Sequence, residues 1–148
     1  MTHQEIKDES KQAEGDPYMR ASRRERGREI ANNRMLHDVA SADVIITNPT
    51  HYAVAMKWTR AEGSVPVCVA KGEDELARRI RVRAEQEKIP IHSDPPTARS
   101  LHALVDVGKP ILPEHYKAVA AAIVFADKLR AQQRERDNLL SRPPESGV

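Results

Sequence analysis

Four consecutive residues, Asn48-Pro49-Thr50-His51, are the part of this 148-residue chain best suited to chemistry on the chain itself. In most sequences the backbone nitrogen after an asparagine attacks the side-chain amide, and the asparagine deamidates. Pro49 has no N–H, so that route is closed. The reverse attack stays open. The Asn48 side-chain nitrogen can add to its own main-chain carbonyl, close a cyclic imide and expel Pro49 as a new amino terminus. Most Asn-Pro pairs are simply turns. Here the tetrapeptide lies between two apolar runs, Val44-Ile45-Ile46 and Ala53-Val54-Ala55-Met56, which offer two strands to hold it.

A side-chain amide is a poor nucleophile, so its surroundings must assist. Pro49 confines Asn48 to extended backbone conformations. A tight turn between anchored strands would bring the amide nitrogen close to the carbonyl carbon, and backbone strain would add to that. His51 is placed to accept a proton from the amide or to deliver one to the Pro49 nitrogen. Thr50 is placed to hydrogen-bond the developing oxyanion or to fix the turn. For both helpers ordinary turn hydrogen bonding is the plainer alternative, and spacing alone does not decide.

The elements that must hold this turn follow from the flanking pattern. Asp43 to Thr47, Ala53 to Trp58 and Val65 to Lys71 read as short strands. The nearly continuous apolar character of the first and third predicts strands covered on both faces. A helix is expected from Glu73 to about Lys88, with Glu73, Asp74 and Glu75 in its first turn and Arg78, Arg79, Arg81 and Arg83 beyond, which suits the helix dipole. Leu76, Ile80 and Ala84 should face inward. Ile89-Pro90-Ile91 returns to the sheet. Asp94 and Pro95 open a helix expected to stop at Gly108. Pro113 and Glu114 start a last helix, reaching about Arg136, with Tyr116, Val119, Ala120, Ile123 and Val124 as its apolar stripe. The expected fold is α/β: a small central sheet of four to five strands flanked by helices, with a long charged N-terminal helical arm. The expected division is an arm over residues 1–40, a compact domain over 41–130, and a helix end with a flexible tail over 131–148.

Composition narrows the function further. With 24 basic and 22 acidic residues the net charge is +2, which argues neither for nor against nucleic acid. A single cysteine, Cys68, excludes an internal disulfide and any multi-cysteine metal site, and reads as a buried strand residue. The six histidines, His3, His37, His51, His92, His102 and His115, lack metal-ligand spacing. No cofactor or metal is expected, and His92 and His115 read as surface or capping residues. The longest apolar run, Ala118 to Ala126, is too short to cross a bilayer, and no signal peptide is visible, so the chain reads as soluble and cytoplasmic. In the arm, the acids Glu5, Asp8, Glu9, Glu14 and Asp16 precede the arginines at 20, 23, 24, 26, 28 and 34. Ile30, Met35, Leu36 and Val39 are its only plausible docking face. The arm reads as a solvated helix; the sharper alternative is contact with an anionic membrane surface or an RNA-like polyanion.

The stretch Ala42-Asp43-Val44-Ile45-Ile46-Thr47-Asn48-Pro49-Thr50-His51-Tyr52-Ala53-Val54-Ala55 resembles the cytoplasmic domain of the FlhB/YscU/SpaS family, the self-cleaving switch proteins of type III export machines. Val69-Ala70-Lys71-Gly72 with Asp74-Glu75-Leu76-Ala77, Asp94-Pro95-Pro96 with Ala98-Arg99, Gly108, and Pro113-Glu114-His115-Tyr116-Lys117-Ala118-Val119-Ala120 are similar to later segments of the family. Lys7-Asp8-Glu9 to Glu14-Gly15-Asp16-Pro17 resembles its linker from the last membrane helix, so the likeness covers about residues 1–130. His51-Tyr52-Ala53-Val54-Ala55 is more like flagellar than injectisome members. The connection Thr59 to Ser64 departs from the commoner flagellar pattern.

The resemblance implies cleavage between Asn48 and Pro49, with both pieces staying in one fold. It also implies that the chain is the cytoplasmic part of a larger bacterial inner-membrane protein. In flagellar members the domain helps change export from rod and hook subunits to filament subunits. Its implied partners are other export-apparatus proteins, a hook-length-control protein and the export substrates. The cut is a single self-processing event, without turnover of external substrates. The alternatives are an injectisome-type switch protein, a nucleic-acid-binding α/β module using the arginine cluster, and a conventional histidine-based enzyme. The second lacks aromatic residues interleaved with the basic ones, and the third lacks a nucleophile motif.

Overall fold

A computed structural model describes residues 16–141. The acidic start of the arm, the linker signature up to Gly15, His3 and the end of the tail lie outside the described residues. The chain divides into two units, Met1–Arg34 and Met35–Val148. In the first, helix α1 (Pro17–Asp38) begins as its residues dictate. Asp16 caps it, its carboxylate accepting from the Tyr18 N–H at 3.0 Å, and Pro17 takes the first helical position, where a missing N–H costs nothing. Alanine, arginine and glutamate then favour continuation. The helix buries no residue, Ile30 is exposed, and the arginines stand in solvent.

The second unit is a four-stranded sheet with helices on both faces. A single 3-10 turn, Val39–Ser41, precedes β1 (Val44–Asn48), β2 (Tyr52–Lys57) and β3 (Val67–Glu73). Helix α2 (Asp74–Gln86), β4 (Ile91–Ser93) and helix α3 (Pro95–Leu104) follow, then a 3-10 turn at Pro113–His115 and helix α4 (Tyr116–Ser141). The strand order is β3-β2-β1-β4. β1 pairs antiparallel with β2, from Val44 opposite Met56 to Asn48 opposite Tyr52, and parallel with β4, from Ile45 opposite Ile91. β1 is thus an interior strand.

Both faces of the sheet are covered. Val44, Ile46, Val54 and Met56 pack with α3 and α4 through Ala98, Leu101, Val119, Ala122, Ile123 and Ala126. Ile45, Ala53, Ala55 and Ala70 face Val39 and the Ala77, Ile80 and Ala84 stripe of α2. Alternation along each strand assigns these faces, and the run of alanines lets α2 lie close to the sheet. One irregularity adjusts β3: Ala55 pairs with Ala70 but Met56 pairs with Cys68, so Val69 is the extra residue of a bulge. Cys68 and Ala70, two positions apart, accordingly point to opposite faces.

Several boundaries differ from the sequence expectation. β2 stops before Trp58, whose N–H donates to the Asp43 carboxylate at 2.7 Å instead of to the ladder. β3 starts after Pro66 and runs to Glu73. α2 ends at Gln86, and Lys88 takes a left-handed φ of 57° to leave it. α3 ends at Leu104, short of Gly108. Val105 is buried in the core, and Gly108 (φ 88°) serves a different turn. That turn lets Gly108 N–H reach the Cys68 carbonyl at 2.7 Å, while Cys68 N–H reaches Lys109 at 3.0 Å. The segment after α3 therefore runs along the outer side of β3, with a bridge between Val67 and Pro110. No helix among the described residues is long and apolar enough to cross a membrane.

Candidate functional site

Asn48, Pro49, Thr50 and His51 come together in the tight turn joining β1 to β2. Asn48 is the last residue of β1 and pairs with Tyr52, the first of β2. The His51 N–H donates to the Asn48 carbonyl oxygen at 2.8 Å, closing a four-residue β-turn with Pro49 at its first corner. Positive φ among the described non-glycine residues is confined to Arg60, Asp74 and Lys88, so Thr50 keeps a negative φ and the turn is not of type II. Asn48 is half-buried, whereas Pro49, Thr50 and His51 are exposed. The carbonyl of the Asn48–Pro49 bond is thus held by a donor, at the rim of a rigid sheet.

The turn is tied down from both sides by the starts of two helices. Just before it, Thr47 is 2% exposed and its carbonyl accepts from the Asp94 N–H at 2.9 Å. Asp94 is the N-cap of α3, its carboxylate accepting from the Thr97 N–H at 3.4 Å. At the far end, the His51 carbonyl accepts from the N–H of Asp74, the first residue of α2, at 2.9 Å. Asp74 also sets a carboxylate oxygen 3.7 Å from His51 Nδ1. β3 passes into α2 without a loop because Gly72 has no side chain. A Cβ there would lie 2.6 Å from Leu76 Cγ.

Behind the turn, the Tyr52 ring packs against His102 with centroids 4.6 Å apart. Burial, helped by the nearby Lys71 ammonium, lowers the pKa of His102 below its ordinary value. Lys71 donates to the His102 carbonyl at 2.9 Å and stands 3.7 Å from Asp106. Cys68 is a buried strand residue, its thiol pushed up to about 11 by burial despite Lys71.

The remaining histidines divide. His92, on β4, is half-buried with its ring 4.9 Å from that of Phe125. His115 does cap the turn before α4, accepting from the Leu112 N–H at 3.2 Å through Nδ1, but it is 2% exposed and not a surface residue. With Nδ1 as acceptor, Nε2 carries the proton and donates to Ser100 Oγ at 2.8 Å, tying α4 to α3. This polarity is opposite to that of a histidine base acting on a serine.

No group of three or more His, Cys, Asp or Glu is arranged to hold a metal among the described residues. An apolar groove of about 340 Å³ between the β2–β3 connection and α4, lined among others by Trp58, Val65, Pro66, Tyr116 and Ile123, contains none of the four motif residues. Two features went unseen in the sequence. One is the Asp74–His51 contact. The other is Arg60, which bridges Asp43 at 3.0 Å and Asp127 at 2.7 Å and so ties the β2–β3 connection to α4. The charge of Asp74 was visible as dipole complementation, but its neighbour depends on strand register.

Residues 1–126 match the model of the family described as FlhB HrpN YscU SpaS. The chain is 42% identical over 145 residues to a flagellar biosynthetic protein FlhB of Yersinia enterocolitica, covering 98% of this chain and 38% of that protein. It is 44% identical over 125 residues to the FlhB of Aquifex aeolicus, covering 84% and 36%. The chain therefore spans little more than a third of the length of these relatives. The crystal structure of the cytoplasmic domain of FlhB from Shewanella putrefaciens superposes with a TM-score of 0.65 at 35% identity, covering 77% of this chain and 84% of that one. A mutated EscU C-terminal domain gives 0.59 at 30% identity, covering 62% and 92%. With the motif at a strand-to-strand turn, the matching fold and this extent of similarity, the chain belongs to the FlhB/HrpN/YscU/SpaS family.

Proposed function

We propose that this chain is the cytoplasmic domain of a flagellar protein-export component that severs its own backbone between Asn48 and Pro49. By doing so it helps change export from rod and hook subunits to filament subunits. The observation that carries the reading is the restrained Asn48 carbonyl, hydrogen-bonded by the His51 N–H at 2.8 Å in a turn tied to two helix starts.

In the reaction, Asn48 Nδ2 attacks the Asn48 carbonyl carbon. The carbonyl oxygen takes up negative charge, and the His51 N–H already in place stabilises it. The imidazole of His51 accepts the proton lost by Nδ2 and returns a proton to the Pro49 nitrogen. The C–N bond to Pro49 then breaks, leaving a five-membered imide at Asn48 and a secondary amine at Pro49. Water later opens the imide. Thr50 occupies the second corner and shapes the turn, since the oxyanion donor is the backbone N–H beside it. Each chain reacts once, and no external substrate turns over.

The partners in this reading are other export-apparatus proteins, a hook-length-control protein and the exported subunits, met at the cytoplasmic face of the bacterial inner membrane. A flagellar role is favoured over an injectisome role by the superpositions, where the FlhB domain gives 35% identity and a TM-score of 0.65 against 30% and 0.59 for the EscU domain. Intact mass measured in denaturant tests the cut. The expected products are residues 1–48 and 49–148, the latter beginning at Pro49, and Asn48→Ala should leave one chain. A wild-type chain still whole after days sinks the reading.

A further inference from the structure

We propose that Asp74 is a positioning residue for this cut, its carboxylate holding the His51 ring through Nδ1 and leaving Nε2 as the nitrogen that handles protons. The proposal rests on the self-cleavage reading above. β3 ends at Glu73 and α2 begins at Asp74, so the change from strand to helix is made at one residue. Asp74 makes it with φ 49°, a left-handed conformation that glycine adopts most easily and that aspartate and asparagine tolerate. A glycine would serve the backbone as well. What aspartate adds is a carboxylate, and its Oδ1 lies 3.7 Å from His51 Nδ1. The Asp74 N–H holds the His51 carbonyl at 2.9 Å, so one residue restrains both the main chain and the ring of its neighbour.

The His51 and Asp74 side chains are 67% and 77% exposed, so their contact contributes little to stability. Orientation is what it offers. At 3.7 Å it is longer than a hydrogen bond, as catalytic contacts often are before the reacting geometry is reached. Of the charged groups around the turn, Glu73 ends β3 opposite Tyr52, Asp94 caps α3 beside Thr47, and Lys71 is committed to the His102 carbonyl and Asp106. Among the described residues Asp74 is the one carboxylate within 4.0 Å of the His51 ring nitrogens.

The test follows cleavage of pulse-labelled chain from cell-free translation, transferred to buffers between about pH 5 and about pH 9. The fragment beginning at Pro49 is timed for wild type, Asp74→Asn, His51→Ala and the double variant. Asparagine keeps the N–H and tolerates the left-handed backbone, so Asp74→Asn removes charge and little else. The expected result is a roughly tenfold slower cut for Asp74→Asn, less than loss of the base itself, with an altered pH–rate profile. No further slowing is expected once His51 is alanine. Asp74→Gly, which relaxes the backbone but deletes the carboxylate, should behave like Asp74→Asn. Equal rates and profiles for wild type and Asp74→Asn, or equal slowing in both His51 backgrounds, overturns the proposal. A wild-type chain that never yields the fragment removes the self-cleavage reading instead.

Discussion

Cys68 and His102 are two titratable side chains whose burial makes opposite demands. Burial pushes the Cys68 thiol up to about 11, so it stays protonated and unreactive near neutrality. A disulfide reagent at about pH 8 should modify it slowly in the native protein and fully in denaturant; rapid native modification would mean that the sheet opens there. His102 has a pKa below its ordinary 6.5 because burial, then Lys71, disfavours its charged form. Below that ordinary value the unfolded chain binds the extra proton first, so this contribution to stability is present above pH 6.5 and lost as pH falls through the lowered pKa. Thermal melts at about pH 7.5 and about pH 5.5 should differ less for His102→Gln than for wild type. An unchanged difference would show that His102 is not responsible. The proposed cut was suggested by residue chemistry that the sequence displays directly. At Asn48 and Pro49 an amide precedes an imino acid, and the apolar runs on either side set the pair apart from an ordinary Asn-Pro turn. Asp74 was not legible as a neighbour of His51, because β2–β3 pairing brings it there across more than twenty residues. His115 likewise gave its capping role but not its burial against Ser100.

The strand-to-helix junction shows how an element constrains the turn. Gly72 pairs with Ala53, and Leu76 of α2 folds back over it. Gly72→Ala would place a Cβ 2.6 Å from Leu76 Cγ, so the helix start must shift. The expected cost is about 1–3 kcal/mol, read as a lower urea midpoint with unchanged slope, and part of it should return when Leu76→Ala is added. No loss of stability in Gly72→Ala would mean that the junction yields freely. Element types and their order were legible because a short, nearly continuous apolar run at Val65 to Lys71 gives way to apolar residues at four-residue spacing, Leu76, Ile80 and Ala84. Boundaries slipped where a tertiary partner replaced a ladder or helix bond. Trp58 bonds to Asp43, and Gly108 turns the chain beside Cys68 and does not end α3. The parallel placement of β4 against β1 was equally invisible, since a three-residue strand carries no periodicity of its own.

For the molecule as a whole, the position of β1 matters most. It lies between β2 and β4, and its Val44, Ile45 and Ile46 are fully buried between two layers of helix. A cut after Asn48 removes one bond but none of the pairings from Val44–Met56 to Asn48–Tyr52. The nicked molecule is then thermodynamically a heterodimer, and its unfolding releases two chains where one was released before. Its melting temperature should fall on dilution, by the equivalent of about 2.7 kcal/mol per hundredfold, while Asn48→Ala melts independently of concentration. Equal behaviour of the two would mean that wild type is uncut or that its fragments do not part on unfolding. A buried central ribbon, once severed, becomes a replaceable component: two nicked copies can trade amino-terminal pieces, but only as fast as the sheet comes apart.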